Sequence, residues 1–550
     1  MMGVQKVKGV KEVQRVQEVK GMQGGQKVKV MQEVQGMSGM PQLLCKNGVS
    51  TLYVNGEPYL ALGGEIHNSS ASNLAYMQAS VWPQVRKLNV NTIIAPVYWE
   101  LIEPEPGEFD FSLVEGLIEQ ARAEQVHLIL LWFGLWKNGK SSYAPGWVKR
   151  DSVTYFRARH ADDSASDTIS PLCEAAVAAD AAAFTRLMTQ LKAFDAGTHT
   201  VIMVQVENEI GFLGSERDYS AAANTAFAKP LPARVAEAYG VEGSWQEAFG
   251  ADAGEWFMAY HYACAVERIA SAGAEQYPLP MFVNAWLEQY PWRPGTYPSG
   301  GPVAKVMKLW RLAAPTLCLY APDIYVAHFA DVCREYTQDG NALLIPEARR
   351  DVSSATNVFY ALGKHDALGF APFGAEGFFP ADDGQEGGPD LSIMMALNID
   401  FSGFVVNGTG PYLAQSYKLL GGMLGLIQQH RGTGRMTGFL QQHDSGCLLS
   451  FTRYDVNISY KRQVEGKPPA GGLVIELSED RFVFVGIGFS LSFLPKQGRR
   501  EKVGLIRVEE GAYEHNEWVR GRVLNGDESA YRVAVGDMAS ALLVEVYSYE

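Results

Sequence analysis

Nowhere in this chain of 550 residues does an apolar run approach the length of a membrane span, for which roughly 18 uninterrupted apolar residues are needed. The sequence therefore gives no reason to place it in a bilayer. Basic residues are also in short supply: 47 Lys and Arg face 61 Asp and Glu, for a net charge of -14. Nucleic-acid binding rests on phosphate neutralisation by Lys and Arg, so a polynucleotide partner is not expected. Six cysteines, Cys45, Cys173, Cys264, Cys318, Cys333 and Cys447, are scattered without a CxxC spacing or a His at metal-ligand distance. This excludes a recognisable zinc site and argues against a disulfide framework, leaving most of them as reduced core thiols. The first 40 residues lack an apolar h-region, so no secretory signal is read and a cytoplasmic location is the default.

That same N-terminal stretch has no aromatic residue and repeats Val-Gln, Val-Lys and Glu-Val units, as in Val4-Gln5-Lys6-Val7-Lys8. It cannot bury enough apolar surface to offset its ordering entropy, and residues 1–40 read as a disordered low-complexity tail. Two alternatives stay open: translation starting at Met37 or Met40, or a weak β-ribbon of the alternating Val.

What the chain does have is a series of short, almost wholly apolar runs that end in polar residues. The most pointed is Val201-Ile202-Met203-Val204-Gln205-Val206-Glu207-Asn208-Glu209-Ile210-Gly211. It reads as a buried strand running out into two carboxylates and an amide. Ionised carboxylates leave water at a cost of several kcal/mol unless paired, so these are either a solvated strand end or groups in use. Similar runs are Leu60–His67, Asn89–Glu100, His127–Trp136, Met281–Trp286, Leu317–Tyr325, Ala342–Arg350 and Ala367–Gly377. Helical patterns fall between them over Ser112–Glu124, Glu174–Phe194 and Trp256–Ala272, and a further helix over Pro411–His430. Leu52 to Tyr59 carries an Asn55-Gly56 turn between two apolar runs, a hairpin signal. From about Gly432 the pattern changes to period-2 runs at sandwich spacing, including Gly446–Arg453, Gly472–Leu477, Arg481–Phe493 and Ala541–Tyr549.

The segment Gln205-Val206-Glu207-Asn208-Glu209-Ile210-Gly211 resembles the QVENEYG signature of family 35 β-galactosidases, members of a retaining glycosidase clan built on (β/α)8 barrels. Glu103-Pro104-Glu105-Pro106-Gly107-Glu108-Phe109-Asp110-Phe111 is similar to the family's EPEPGKFDF, and Gly64-Glu65-Ile66-His67 to its GEIHY segment. The resemblance implies an α/β fold, a (β/α)8 TIM barrel over residues 41–431 followed by a smaller all-β sandwich domain over 432–550. It implies that Glu209, closing strand four, is the general acid/base, that Asn208 binds the sugar's 2-hydroxyl, and that Glu347, closing strand seven, is the nucleophile. An ion pair of Glu347 with Arg349 or Arg350 is the structural alternative. Glu65 contacts substrate or is satisfied by His67. The chain departs from the family at Ile210, where Tyr is usual, and at strand three, where Trp136-Lys137-Asn138-Gly139-Lys140 replaces Arg-Pro-Gly-Pro-Tyr. There it is similar to a bacterial branch with members acting on plant-wall polysaccharides.

Two Glu on opposite strand ends suit retaining glycoside hydrolysis, in which one carboxyl protonates the leaving oxygen while the other attacks the anomeric carbon. Substrate-binding candidates are Asn208, Glu65, Trp99, Trp136, Asn138, Asn284 and Tyr325, all at strand ends; Trp136 is read as stacking on a sugar face. Trp99, Trp136 and Trp286 suggest a closed pocket and release of terminal sugars. No metal or organic cofactor is required. The expected function is a retaining exo-hydrolase removing terminal β-linked galactose. Open alternatives are another β-glycosidase of the clan, on a glucoside, mannoside or arabinoside, and a barrel that binds glycans without cleaving them.

Overall fold

The computed structural model describes residues 39–379, 394–395 and 399–550, apart from 47, 498–499 and 531. The repetitive tail, up to residue 38, lies outside the described residues.

An antiparallel sheet opens the chain: β1 Gln42–Lys46, β2 Val49–Val54 and β3 Glu57–Tyr59. The β2–β3 turn is the one Asn55-Gly56 predicts, with φ of 54° and 83°, as a two-residue hairpin of matching twist requires. Next come the parallel strands β4 Ala61–Glu65, β5 Thr92–Tyr98 and β6 His127–Lys137. A small ribbon, β7 Arg157–Arg159 with β8 Ala165–Ile169, interrupts the series. It resumes with β9 Val201–Asn208, β10 Met281–Trp286, β11 Leu319–Ile324, β12 Leu344–Ala348 and β13 Gly369–Pro372. These eight strands close into one barrel, in sequence order around it. Each falls within one of the predicted apolar runs, save that β6 runs on to Lys137, because strands covered by helices outside and packed inside have no polar face to show.

The long helices between barrel strands are α1 Ser112–Ala123, α2 Glu174–Asp195, α3 Ala253–Ala274 and α4 Ser354–His365. The helix predicted over Pro411–His430 is two, α5 Thr409–Gly422 and α6 Leu424–His430, with a break at Met423. Tyr417 of α5 is fully buried, and its hydroxyl donates to Gly63 O at 2.8 Å and Phe370 O at 2.9 Å. These carbonyls belong to the first and last barrel strands, so one side chain spans the seam at which the barrel closes.

The C-terminal region is all-β. A six-stranded sheet contains β14 Met436–Leu440, β17 Gly471–Ser478, β18 Arg481–Ile487, β20 Lys502–Glu514, β21 Glu517–Leu524 and β23 Ser540–Tyr549. A four-stranded one contains β15 Cys447–Ser450, β16 Tyr454–Tyr460, β19 Phe489–Pro495 and β22 Val533–Ala534. The run Arg481–Phe493, expected as a single strand, is two: at Gly488, with φ 73°, the chain leaves the larger sheet for the smaller. Along the larger sheet Val474, Phe482 and Phe484 face the smaller sheet, while Leu473, Ile475, Val483 and Val485 join the barrel core. Period 2 thus supplies two apolar faces, and the sheet is buried on both.

Among the described residues no helix is long and apolar enough to cross a membrane. All six cysteines are free; Cys45 and Cys318 are exposed, so the expectation of core thiols fails for these two.

Contact between α4 and β14 depends on a glycine pair. A Cβ on Gly438 would lie 2.9 Å from Phe359 O and Tyr360 O, and one on Gly363 would lie 2.8 Å from Gly438 N. Gly438→Val is therefore expected to destabilise the protein by about 3 kcal/mol, the overpacking range for backbone that cannot yield. Thermal melting checks this; a midpoint within a degree of wild type would mean that the two elements slide apart freely.

Candidate active site

The site begins with an irregularity in β6. Trp132 pairs with Val206 of β9, but the next partners are Lys137 and Asn208, so β6 spends extra residues over the same span. Such a bulge frees backbone N–H groups from the ladder. Glu207 takes them up: its carboxylate accepts from Leu135 N at 3.1 Å and Trp136 N at 2.7 Å. Asp180 of α2 accepts from Leu135 N and from Trp132 Nε1, both at 2.8 Å. Only glycine fits at 134, since a Cβ there would stand 2.5 Å from the Asp180 carboxylate and 2.7 Å from that of Glu207. Burial pushes both carboxyls up, and for Glu207 the Asp180 charge adds to it, so the pair holds a proton between them. Glu207 thus points away from the barrel mouth.

With Glu207 anchored outward, Asn208 and Glu209 turn inward. Glu207 and Glu209 both have positive φ, 63° and 44°, each costing about 1–3 kcal/mol unless the surroundings hold it. They are held: Asn138 N donates to Asn208 O and Gly139 N to Glu209 O, each at 3.2 Å, and Glu209 N donates to Asn284 Oδ1 at 2.8 Å.

At the mouth, oxygens of Glu209, Asp323 and Glu347 lie within 4.8 Å of one another. Glu347 Oε1 accepts from Asn208 Nδ2 at 3.0 Å and Asn284 Nδ2 at 3.3 Å, and Oε2 from the Tyr325 hydroxyl at 2.8 Å. Tyr325 is itself stacked on Phe404, with centroids 4.3 Å apart. Lys137 Nζ donates to Asn208 Oδ1 at 2.8 Å, which fixes the amide so that its nitrogen faces Glu347. Asn138 Nδ2 donates to Glu209 Oε2. The adjacent arginines are engaged elsewhere, Arg349 with Asp351 and Arg350 with Gly374 O, so the ion-pair alternative for Glu347 does not hold.

Burial first, and the Glu347 charge second, push Glu209 up to about 8, against the pull of Lys137 and of hydrogen bonds with Asp323 and Asn138. Glu209 is therefore protonated at neutral pH, as a general acid must be. Burial followed by the Glu347 charge also holds Glu65 and Asp323 well above the carboxylate range. Both oxygens of Glu65 are buried with no hydrogen-bond partner, and so is Asp323 Oδ1. Asp323 Oδ2 accepts from Asn284 Nδ2 at 2.7 Å. Its contact with Glu209 holds only if one of the two carboxyls carries a proton. His67 does not satisfy Glu65; its Nδ1 lies 3.1 Å from Glu376. The three clustered carboxylates have the spacing of a cation site, but N–H and O–H donors already point at the oxygens a cation would need, so the donor set fits a metal poorly.

Of the candidates read from sequence, Glu209, Glu347, Asn208, Asn138, Asn284 and Tyr325 are joined by these hydrogen bonds, and Glu65 adjoins them through the charges of Glu347 and Glu209. Two tryptophans are corrected. Trp136 is fully buried, donates to Ile169 O and meets Tyr262 of α3 edge-on, so it packs outside the barrel wall and offers no face to a sugar. Trp99 is equally buried, bonded to Glu103 and packed on Trp147. The closed-pocket expectation keeps Trp286 alone. Lys137 and Asp323 went unnoticed, although Asp323 gave the same signal as Glu347, a carboxylate at the end of an apolar run.

The model of the family described as glycosyl hydrolases family 35 matches residues 51–286. The matched residues carry five of the eight barrel strands. The family 35 match takes in Glu65, Asn138, Asn208, Glu209 and Asn284 and stops before Asp323, Tyr325 and Glu347. A second family, described as a domain of unknown function (DUF5597), matches residues 413–536. A β-galactosidase of Xanthomonas manihotis is 30% identical over 174 residues, 30% of this chain and 26% of that protein. The chain thus matches about a quarter of the length of that relative. Among solved structures, the β-galactosidase of Bacillus circulans sp. alkalophilus aligns with TM-score 0.42 at 14% identity, over 57% of this chain and 50% of that one. That of Rahnella sp. R3 aligns with TM-score 0.45 at 14% identity, over 67% and 56%.

Two tests follow from the site's construction. Glu207→Ala strands the Trp136 amide, leaves Leu135 N to Asp180 alone and removes the anchor of Glu209; denaturant unfolding should show a loss of about 3 kcal/mol, with activity down more than tenfold. Unchanged stability would mean the bulge does not need its carboxylate. Glu65, Glu209 and Asp323 all have raised values in the fold, so the stability they contribute is complete below the unfolded carboxylate range and lost as pH rises through the folded values, about 8 for Glu209. Wild-type melting temperature should fall between about pH 5 and pH 8, and Glu65→Gln, uncharged throughout, should fall less and melt higher at about pH 8. A lower melting point for this variant at that pH would mean that Glu65 is ionised and paired.

Proposed function

We propose that this protein is a retaining β-glycosidase that releases terminal β-linked galactose from oligo- or polysaccharides. The observation that carries the reading is the approach of Glu209 and Glu347 oxygens to within 4.8 Å across the barrel mouth. Retaining glycosidases hold their carboxyl groups about 5–5.5 Å apart, whereas inverting ones need roughly 6.5–9.5 Å to admit a water. Galactose is favoured by the family 35 match and by the named activity of the Xanthomonas relative.

In this reading Glu347 attacks the anomeric carbon while Glu209 gives its proton to the departing glycosidic oxygen. Bond formation to Glu347 removes its negative charge, the second-ranked cause of the raised Glu209 value. Glu209, now a carboxylate, falls back toward its ordinary range and takes a proton from the water that releases the sugar. Asn208, Asn284 and Tyr325 hold the Glu347 oxygens on line for attack. The orphaned oxygens of Glu65 and Asp323 suit sugar hydroxyls, each of which both donates and accepts.

The mechanism is tested by azide rescue. Glu209→Ala should still form the glycosyl-enzyme from a dinitrophenyl β-galactoside, whose leaving group needs little protonation, and azide should then give the β-galactosyl azide. Glu347→Ala lacks the nucleophile, so azide enters from the opposite face and gives the α-azide. NMR of the products assigns the two roles. Swapped configurations would reverse them, and full activity in either variant would remove that residue from the mechanism.

A further inference from the structure

The rim of the barrel carries a feature that the two-carboxylate chemistry does not use. After β10 the chain runs through Leu287 to Pro298, and two large aromatics stand out there: Tyr290 is 71% exposed and Trp292 59%. Neighbouring large aromatics left exposed are characteristic of binding surfaces. Trp292 also has φ of 61°, a left-handed conformation that a bulky residue adopts only when its surroundings impose it.

The imposition is visible. Trp286, half-buried at the end of β10, donates through Nε1 to Gln289 Oε1 at 3.2 Å; Gln289 Nε2 donates to Thr296 O at 2.7 Å; and Trp292 N donates to Gln289 O at 2.7 Å. Gln289 thus connects the tryptophan at the barrel mouth to the one on the rim. The whole loop is fastened to the segment that follows Glu209: Phe212 and Ser299 exchange both backbone hydrogen bonds at 2.9 Å, and Gly214 N donates to Gly295 O at 2.8 Å. The approach is so close that a Cβ on Gly211 would stand 2.5 Å from Pro298, and one on Gly295 would stand 2.7 Å from Ser215.

Direction follows from chemistry. A general acid must face the glycosidic oxygen, so the leaving group departs along the side of the site that carries Glu209, while the sugar to be released sits over Glu347, Asn208 and Tyr325. The loop bolted to the Glu209 segment lies on the leaving-group side. We propose that Tyr290 and Trp292 form a stacking platform for the pyranose ring on the far side of the scissile bond, which makes the enzyme selective for oligosaccharide leaving groups over small ones. The C–H face of a pyranose matches an indole or phenol ring in shape and polarity, and with the Trp292 backbone already fixed by Gln289 no further main chain has to be ordered on stacking. This inference rests on the glycosidase reading above.

A glycosyl fluoride separates the two, because its leaving group has no ring to stack. Trp292→Ala and Tyr290→Ala would be compared with wild type on β-galactosyl fluoride and on the β-1,4-linked disaccharide of galactose and glucose, with melting temperatures measured alongside. For Trp292→Ala, kcat/KM on the disaccharide should fall about tenfold, the loss expected of a stacking anchor, with fluoride hydrolysis within a factor of two of wild type and melting unchanged. Tyr290→Ala should show the same pattern with a smaller loss. Equal losses on both substrates, or none on the disaccharide, would overturn the platform. Wild type that hydrolyses neither substrate would instead overturn the galactosidase reading, and the platform with it.

Discussion

The contact between the Glu207 carboxylate and the freed amides of the β6 bulge is the one on which the site depends. A regular β6–β9 ladder would leave successive side chains of β9 alternating across the barrel wall. The bulge, filled by Glu207 from the outside, lets the backbone pass through two left-handed residues and deliver both Asn208 and Glu209 to the mouth. Gly134 is required because carboxylates occupy the volume a side chain would take, and Asp180 because two buried carboxyls can share one proton where a lone carboxylate would stand uncompensated. The first Glu of the signature is thus structural, and it is what makes the second one usable.

Around that anchor the site gathers more negative charge than it neutralises. Glu65, Glu209, Asp323 and Glu347 share one neighbourhood with Lys137, and Lys137 is spent on orienting an amide rather than pairing with an acid. Burial first and the Glu347 charge second hold the Glu209 carboxyl up, so the neighbourhood favours protonated acids. Asparagine amides do the connecting: Asn284 accepts from the backbone of Glu209 and donates to both Asp323 and Glu347. An amide can touch donor and acceptor at once without adding charge, which neither a lysine nor another carboxylate can do.

Apolar runs ending in polar residues revealed all eight barrel strands and the two carboxylates, because a fully buried strand has a continuous signal and an abrupt end. Reading failed where local periodicity failed. Trp136 sits inside the bulge, where extra residues break the alternation that tells inside from outside, and it faces α3 while its neighbour Lys137 faces the site. Trp99 lies beyond the end of β5 in a short helical turn, Trp99–Ile102, so strand parity does not reach it. In the sandwich, β14, β16 and the short β22 are not among the predicted runs, and the β18–β19 run looks continuous because its change of sheet is made by backbone turning at Gly488 and not by a polar break. The Glu207 bond to β6 was equally hidden, since nothing in a sequence announces a contact between residues 71 positions apart.

The bolting of the rim to the acid/base segment limits how specificity can change in such a barrel. Gly211 and Gly301 are pressed against Pro298 and Ile210, so the loop after β10 and the segment after Glu209 form one packed body. A side chain exposed on that body, such as Trp292, can be exchanged without moving Glu209. A residue lengthening or shortening the loop would instead pull on Phe212 and, through Gly211, on the φ of Glu209 itself. Leaving-group preference is therefore open to variation at exposed positions of the rim, while loop length is coupled to the geometry of proton transfer.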